Sequence, residues 1–228
     1  MQNDFIEVYP NLVSTDLCER IKSAFHHMQT VSSSNVPDNE VTQLLPSGFM
    51  EGREPGLMDG TQKGEHVYQN AASRRDEAVY MEYRFPELMG ELNQHLQEAI
   101  EMYCEKYPSI ASIPFYSCNM KVQKTPPRGG YHAWHYEQNE IVFNVLRCLV
   151  WTVYLNDMPM GEAETEFLEY DRRIQPKQGS VLLFPSSWTH THRGNVVRSC
   201  DKYIATGWYY MGVLNDPKNA LGQNQSQD

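Results

Sequence analysis

The sequence predicts a mainly β domain with supporting α-helices, and three observations lead to this fold class. Short runs of β-branched and aromatic residues, closed by turn signals, recur between residues 116 and 212. Ahead of them, two stretches place apolar residues at helical spacing. A length of 228 residues is enough for a substantial hydrophobic core. We therefore expect one domain over 1–212, with 1–115 as helical support and 116–212 as a β core.

The first part of the chain supplies an edge strand and two helices. Residues 1–13 alternate apolar and polar side chains, as a short edge strand does. Cap-forming residues at 14–16 then favour a helix start, and one helix face carries Leu17, Ile21, Phe25 and Met28. A second helix is predicted at 86–106 and ends before Pro108. Its apolar stripe consists of Leu88, Leu92, Leu96, Ile100 and Tyr103.

Residues 31–75 break this pattern, because they are rich in Ser, Asn, Gly, Pro and charged residues. They form a loop-like stretch that is longer than compact domains usually contain. Such a segment is either disordered or a lid, since long ordered loops are often functional. At the other end of the chain, residues 213–228 read as a polar tail.

Two histidine-containing segments lie within the β region, at 129–137 and 188–195. Alternate side chains of a strand share a face, so His135 and Glu137 would point together. His190 or His192 can supply a second imidazole, about fifty-five residues later, if the intervening strands fold back. Two histidines and one carboxylate on one face of a metal leave positions open for substrate and O₂, as in non-haem Fe(II) oxygenases. The His-x-Glu spacing alone is weak evidence, because this composition should produce about one by chance.

Further segments follow the first His-x-Glu in a fixed order. They are Arg-Cys-Leu-Val-Trp-Thr-Val-Tyr-Leu-Asn-Asp (147–157), Gly-Glu-Ala-Glu-Thr-Glu-Phe (161–167), Pro-Lys-Gln-Gly-Ser-Val-Leu-Leu-Phe-Pro (176–185), the second His pair, and Asp-Lys-Tyr-Ile-Ala-Thr-Gly-Trp (201–208). This order resembles the 2-oxoglutarate- and Fe(II)-dependent dioxygenases of the prolyl 4-hydroxylase type. Their pattern is His-x-Asp, an Arg followed by Tyr-Leu-Asn, Gly-Gly-Glu-Thr-x-Phe, a Pro-Gly-Phe segment, a distal His, and then Lys or Arg. The resemblance covers roughly residues 116–212.

The resemblance implies roles for individual residues. The three iron ligands would be His135, Glu137 and His192. His192 is preferred to His190 because Lys202 follows it by ten positions, and the basic residue of the family follows its distal His by about as many. Lys202 would pair with the far carboxylate of 2-oxoglutarate, and Tyr154 matches a tyrosine that bonds the same carboxylate in some members.

Several positions depart from the family pattern or extend it. Glu137 replaces the more common Asp and is longer by one methylene. Ala163 occupies the place of the second Gly. Pro126 stands where the family often has a Tyr that holds 2-oxoglutarate, and Tyr131 is the nearest replacement. Trp208 is expected near the pocket wall, and the alternative is a plain core aromatic.

The architecture that the resemblance implies is a double-stranded β-helix, or jelly roll, braced on one sheet by the two N-terminal helices. Its open end would hold the iron. We expect strands near 117–124, 130–138, 147–156, 164–169, 171–175, 179–184, 188–192 and 202–211.

The expected reaction, again by resemblance, is hydroxylation of a C–H bond with Fe(II), 2-oxoglutarate and O₂, releasing succinate and CO₂. Ascorbate is a candidate additional cofactor. The expected substrate is a prolyl residue in a peptide or protein, while a free amino acid or other small molecule stays open. Two other classes of protein are alternatives: a non-catalytic metal or 2-oxoglutarate sensor, and a zinc hydrolase, since His₂Glu is also a catalytic zinc set. A zinc hydrolase does not bind 2-oxoglutarate, so it would not require Lys202 as a partner for the far carboxylate.

Composition narrows the partners and the cellular location. The net charge of −10 argues against a nucleic-acid backbone as the main partner. Five cysteines without Cys-x-x-Cys spacing read as reduced thiols of an intracellular protein. The N-terminus lacks a signal-peptide pattern and no apolar run approaches about 18 residues, so we expect neither secretion nor membrane insertion but a cytoplasmic protein. The sequence sets no oligomeric state.

Overall fold

The computed structural model describes residues 3–33, 65–68, 74–81, 84–138, 141–142 and 145–211. Its helices are α1 (Thr15–Ser33) and α2 (Pro86–Lys106), and short 3₁₀ turns lie at Pro108–Ile110 and Trp188–His190. Its strands are β1 (Glu7–Tyr9), β2 (Glu65–Tyr68), β3 (Arg74–Tyr80), β4 (Phe115–Thr125), β5 (Gly130–Tyr131), β6 (Ile141–Val142), β7 (Val145–Tyr154), β8 (Thr165–Phe167), β9 (Arg172–Ile174), β10 (Val181–Pro185), β11 (His192–Gly194) and β12 (Lys202–Met211).

Two antiparallel sheets form the β core. The larger sheet has the order β1-β10-β7-β12-β4-β3-β2, with β5 paired to β3 and β6 paired to β7. The smaller sheet has the order β11-β8-β9. Residues of both sheets line one cavity, so the sheets curl around it as a double-stranded β-helix, or jelly roll. The predicted fold class is confirmed.

Both helices pack on the outer face of the larger sheet, where the main hydrophobic core lies. The predicted faces of α1 and α2 are buried there, together with Trp151 and Val153 of β7. Each large apolar side chain buried in this way contributes on the order of 1.5–3 kcal/mol. The alternate residues of β7, Val150 and Thr152, face the cavity instead. In the described part of the chain, no helix is long and apolar enough to span a bilayer.

The stretch predicted as a loop at 31–75 is partly regular structure. Helix α1 continues to Ser33, and residues 65–68 pair with β3 as an added edge strand. The loop prediction is therefore wrong at these positions. The polar composition of this stretch does not indicate a strand, but backbone pairing with β3 stabilises one at 65–68. Residues 34–64 and 69–73 lie outside the described residues, and the lid stays a prediction.

Two predicted strands near the histidines are also wrong in extent. The strand predicted at 130–138 is reduced to β5 and an isolated bridge between His135 and His192. In place of the strand predicted at 188–192, a 3₁₀ turn spans Trp188–His190, and β11 begins only at His192. Within that turn, Thr189 Oγ1 lies 2.7 Å from Ser187 Oγ and 2.9 Å from His190 Nδ1. Such local side-chain hydrogen bonds compete with strand pairing.

Candidate metal centre

The structure brings His135, Glu137 and His192 together, with one ligand atom of each within 4.8 Å of the others. The His135 N–H donates to His192 O at 3.0 Å, and the His192 N–H donates to His135 O at 2.9 Å. The Glu137 N–H donates to Ser186 O at 3.0 Å. The backbone is therefore locally extended, although no continuous strand forms, and the side chains of His135 and Glu137 share one side.

Backbone carbonyls orient both imidazoles. His135 Nδ1 lies 2.9 Å from Ala133 O, and His192 Nδ1 lies 3.0 Å from His190 O. A carbonyl oxygen can only accept, so each Nδ1 carries a proton. When the ring has no second proton, its Nε2 presents the lone pair that can bind a metal. Metal-ligating histidines usually donate their other ring N–H in this way. The arrangement therefore fits a divalent ion bound through the two Nε2 atoms and the Glu137 carboxylate.

Arg147 holds the Glu137 carboxylate. Its Nη1 donates to Glu137 O at 3.1 Å and lies 3.3 Å from Oε2, while Oε1 is 3.4 Å from His135 Nε2. Desolvation raises the pKa of Glu137, but the hydrogen bond and charge of His135 outweigh it, and the pKa lies well below its usual range. The carboxylate is therefore ionised, with one oxygen near Arg147 and the other directed to the histidine.

His192 is buried at the junction of the two sheets. Burial, together with the nearby His135, lowers its pKa to about 4. The rings of Phe167 and Phe184 surround it, with centroid distances of 5.8 and 4.8 Å. The imidazole is thus neutral at physiological pH, which is the form that binds metals.

His190 is engaged elsewhere. Its Nε2 lies 2.8 Å from Asp4 O, its Nδ1 faces Thr189, and its ring packs against Tyr170 at 4.9 Å. Burial lowers its pKa. Of the two candidate distal histidines, the structure therefore places His192 at the metal donors and His190 behind them, where its backbone carbonyl orients His192.

The donors open onto a cavity of about 750 Å³, mouth included, that Lys202 also lines. Lys202 is buried, and its Nζ donates to Ala163 O at 2.7 Å. Burial lowers the pKa of Lys202 to about 8, while Glu164 and Asp76 act in the opposite direction. A cation is thus held in the same cavity as the metal donors, and the pairing of Lys202 with 2-oxoglutarate stays a prediction.

Tyr154 lies next to Lys202, with the ammonium 5.6 Å from its ring centre. Its hydroxyl is 2.8 Å from Thr165 Oγ1, and burial raises its pKa. Thr165, rather than Tyr154, lines the cavity. The cosubstrate-binding role of Tyr154 stays a prediction, and the hydroxyl of Thr165 is better placed for such a contact.

Three other positions singled out in the sequence lie around the site. Tyr131 stacks on His135 with ring centroids 3.7 Å apart, and Trp208 lines the cavity as predicted. Ala163 has a φ of +63°, in the left-handed region that favours glycine. This conformation explains why a glycine suits that position in the family pattern.

Sequence reasoning missed the polar residues of β4 that line the cavity. Lys121, Gln123 and Thr125 face inward, whereas the alternate residues Met120 and Val122 join the helix-side core. The signal was a polar side chain at every second position of a predicted strand. Asp76 of β3 also lines the cavity, where its Oδ2 accepts from Gln123 Nε2 at 3.1 Å.

Comparison of the sequence with protein families gives one match. Residues 120–210 match the model of the 2OG-Fe(II) oxygenase superfamily. No curated protein sequence matches the chain. The matched region runs from β4 to β12 and includes every residue of the candidate metal centre.

Solved structures of prolyl hydroxylases have the same fold at low sequence identity. The viral collagen prolyl hydroxylase of Paramecium Bursaria Chlorella virus-1, in its 2-oxoglutarate complex, is 17% identical, with a TM-score of 0.58 over 90% of this chain and 96% of that one. A Pseudomonas putida prolyl-4-hydroxylase is 12% identical, with a TM-score of 0.59 over 91% and 93%. A Trichoplax adhaerens prolyl hydroxylase, bound to a hypoxia inducible factor peptide fragment, is 15% identical, with a TM-score of 0.61 over 99% and 89%.

The predicted family resemblance and enzyme class are therefore confirmed. The superfamily match rests on sequence and the prolyl hydroxylase likeness rests on the fold. The match over residues 120–210 supports the predicted enzyme class of a 2-oxoglutarate-dependent dioxygenase, and the chain has the fold of the prolyl 4-hydroxylases.

Proposed function

We propose that this dioxygenase hydroxylates a prolyl residue in a peptide or protein and releases succinate and CO₂. The observation that carries the proposal is that one cavity contains both a three-donor metal cluster and the buried ammonium of Lys202. The cluster suits Fe(II), and the ammonium suits the distal carboxylate of a dicarboxylic acid.

His135, Glu137 and His192 would hold the iron. Two imidazoles and one carboxylate would leave part of the coordination sphere of a divalent ion open. Iron bound together with 2-oxoglutarate supplies the oxidising chemistry of the superfamily. The backbone carbonyls at Ala133 and His190 fix the two rings, so the donors are already oriented.

Lys202 would hold the far carboxylate of 2-oxoglutarate. Its ammonium is fixed by Ala163 O and is shielded from water, so a charge-assisted contact to a carboxylate there is stronger than at a surface. The hydroxyl of Thr165, 2.8 Å from that of Tyr154, adds a polar group near this part of the cavity, and two further hydroxyls lie farther along the sheet. Thr206 Oγ1 donates to Trp151 O at 2.8 Å and lies 3.2 Å from Thr152 Oγ1.

Apolar and aromatic side chains would position the substrate and exclude water. Val150, Phe184 and Trp208 give the cavity an apolar wall, and the Tyr131 ring covers His135. Such surfaces suit a pyrrolidine ring, and orientation of the reacting groups is a main contribution of the protein to catalysis. The Trichoplax structure, which contains a peptide, supports a peptide or protein substrate.

The test combines binding and turnover. Anaerobic titration with Fe(II) and then 2-oxoglutarate should produce the weak visible charge-transfer band of the chelate. In air, slow succinate release should rise on addition of proline-rich peptides, which should each gain an oxygen atom. Free proline that stimulates fully would favour the small-molecule alternative, and metal binding without the band would contradict the proposal.

A further inference from the structure

Lys121 is a second lysine of the cavity, and its place in the sheet separates it from Lys202. It lies on β4 and pairs with Thr206 of β12, four positions beyond Lys202. Four residues of a strand span roughly 13 Å. The ammonium points further along the same direction, because Nζ lies 4.8 Å from the ring centre of Trp208. Lys121 is therefore not a second contact for the group that binds Lys202.

The part of the cavity that Lys121 reaches is the metal end. Arg147 lies 4.0 Å from the centre of the same Trp208 ring and holds Glu137. The charge of Lys121 is one of the influences that lower the pKa of Glu137. Lys121 lines the cavity and Arg147 does not, so the ammonium of Lys121 shares the cavity with the metal donors at this end.

The charges around the cavity favour an anion at this place. The chain carries a net charge of −10, yet Lys121 lines the cavity near the donors, as does Arg193, whose guanidinium is paired with Glu166 at 2.7 Å. Of the carboxylates that line it, Glu137 contacts His135 and Arg147, and Asp76 accepts a hydrogen bond from Gln123. A local positive field in an acidic protein steers and selects negatively charged ligands.

We propose that Lys121 is a specificity-determining residue that binds a carboxylate of the substrate next to the C–H bond to be hydroxylated. The substrate class is thus acidic: a peptide with Asp or Glu beside the target residue, or a small molecule with its own carboxylate. This inference rests on the proposed function, because it assigns a role within the same cavity.

The test compares acid and amide forms of the same compounds. One pair is a prolyl peptide with Glu beside the proline and its Gln counterpart, and the other is N-acetylproline and its amide. Binding to protein loaded with Mn(II) and 2-oxoglutarate is measured by calorimetry, so the reading does not require turnover. At least one acid form should bind roughly tenfold more tightly than its amide, and the pair that shows the difference identifies the source of the carboxylate.

Matched variants assign this difference to one side chain. Lys121→Met should remove the preference for the acid form, and Lys121→Glu should reverse it toward a peptide with Lys beside the proline. Lys124→Met is the control, because Lys124 lies on the same strand, away from the cavity lining, with its Nζ 3.2 Å from Asp201. It should keep the wild-type preference, and the affinity for 2-oxoglutarate should stay within about twofold in all variants.

Three results overturn the inference: equal binding of acid and amide forms to the wild type, absence of binding by either, or a loss of 2-oxoglutarate affinity in Lys121→Met. The last result would assign Lys121 to the cosubstrate. Failure of the proposed function has a different signature, namely absence of succinate release with every compound while the calorimetric preference is still measured.

Discussion

At the scale of single residues, hydrogen bonds to the atoms that do not face the metal position orient the side chains of the candidate site. Each histidine has its Nδ1 bound to a backbone carbonyl, and Arg147 contacts one oxygen of Glu137. The remaining donors, two Nε2 atoms and Oε1, therefore converge. Roles at this scale can be separated by substitutions that remove one donor at a time.

We expect His192→Ala to abolish tight Fe(II) binding and His190→Ala to lower it no more than about tenfold, as loss of a supporting residue does. His190 directs both ring nitrogens away from the donors, so its loss should mainly lower the melting temperature. Titration of both variants with Fe(II) or Co(II) measures this. The assignment is wrong if His190→Ala loses the metal while His192→Ala keeps it.

Lys202→Ala should weaken 2-oxoglutarate binding by a hundredfold or more and leave Fe(II) binding unchanged. Removal of one partner of a buried charge pair costs roughly 3–5 kcal/mol, and Lys202 is buried. Calorimetric titration with each ligand separates the two effects. Unchanged 2-oxoglutarate affinity in the variant would rule out the assigned role of Lys202, whatever happens to turnover.

The affinity for 2-oxoglutarate should fall as the pH rises above about 8. Burial lowers the pKa of Lys202 to about 8, so the ammonium is present below this pH and is lost above it. If the ammonium form binds the carboxylate, the dissociation constant should increase by up to about tenfold per pH unit. Lys202→Arg is the control, because arginine stays charged throughout this range. A flat profile from pH 7 to 10 in the wild type would contradict the prediction.

At the scale of elements, the regular segments were predictable and the irregular ones were not. Helix α2 and strand β12 have their predicted bounds, because an uninterrupted apolar period needs only local information. The segments that carry the histidines depart from the prediction, since Ser187, Thr189 and distant backbone partners set their conformation. The candidate ligands were predictable from motif order, whereas the position of Lys121 in the cavity depends on which face of β4 turns inward.

The turn before β10 provides a test at this scale. Gly179 has a φ of +77°, and a Cβ there would lie 2.2 Å from Val13 O. Gly179→Ala should therefore destabilise the fold by about 2–5 kcal/mol, from backbone strain plus the clash. Gly161→Ala is the matched control, because Gly161 has a φ of +80° but no atom within 4 Å of its added Cβ. It should lose only about 1–2 kcal/mol.

Denaturant unfolding of both variants gives the two free energies directly. The contact between the turn and the N-terminal segment, in which the Val13 N–H donates to Gly179 O at 2.9 Å, is the reason for the difference. Equal losses in the two variants would show that the close approach to Val13 has no energetic consequence.

At the scale of the whole molecule, the N-terminal segment joins the helix layer to the smaller sheet. Tyr103 of α2 donates to Phe5 O at 2.9 Å, while Arg172 of β9 contacts Asp4 Oδ2 at 2.6 Å and Ile6 O at 2.8 Å. Asp4 O also lies 2.8 Å from His190 Nε2. A segment far from the site in sequence thus supports the backbone that orients His192.

We expect Arg172→Met to lower stability by roughly 1–3 kcal/mol, because it leaves part-buried acceptors without their donor. For a chain of this size, each kcal/mol shifts the melting temperature by about 2–4 °C. Lys106→Met is the control: Lys106 contacts Glu7 of the same segment at 2.6 Å, but its side chain is 53% exposed. Such a surface pair is worth at most about 1 kcal/mol. Similar melting temperatures for both variants would contradict the bridging role of Arg172.

The paired backbone hydrogen bonds between His135 and His192 have a consequence for metal exchange. The spacing of the two imidazoles is set by peptide groups, whose geometry does not depend on the ion. Folding alone therefore sets a nearly constant distance between the two imidazoles, whichever ion is bound. Removal of the ion with a chelator should then leave the circular dichroism spectrum unchanged. Reloading with Co(II), Ni(II) or Zn(II) should then be quick and should follow the intrinsic affinity order of these ions, so metal supply would decide which ion the protein carries.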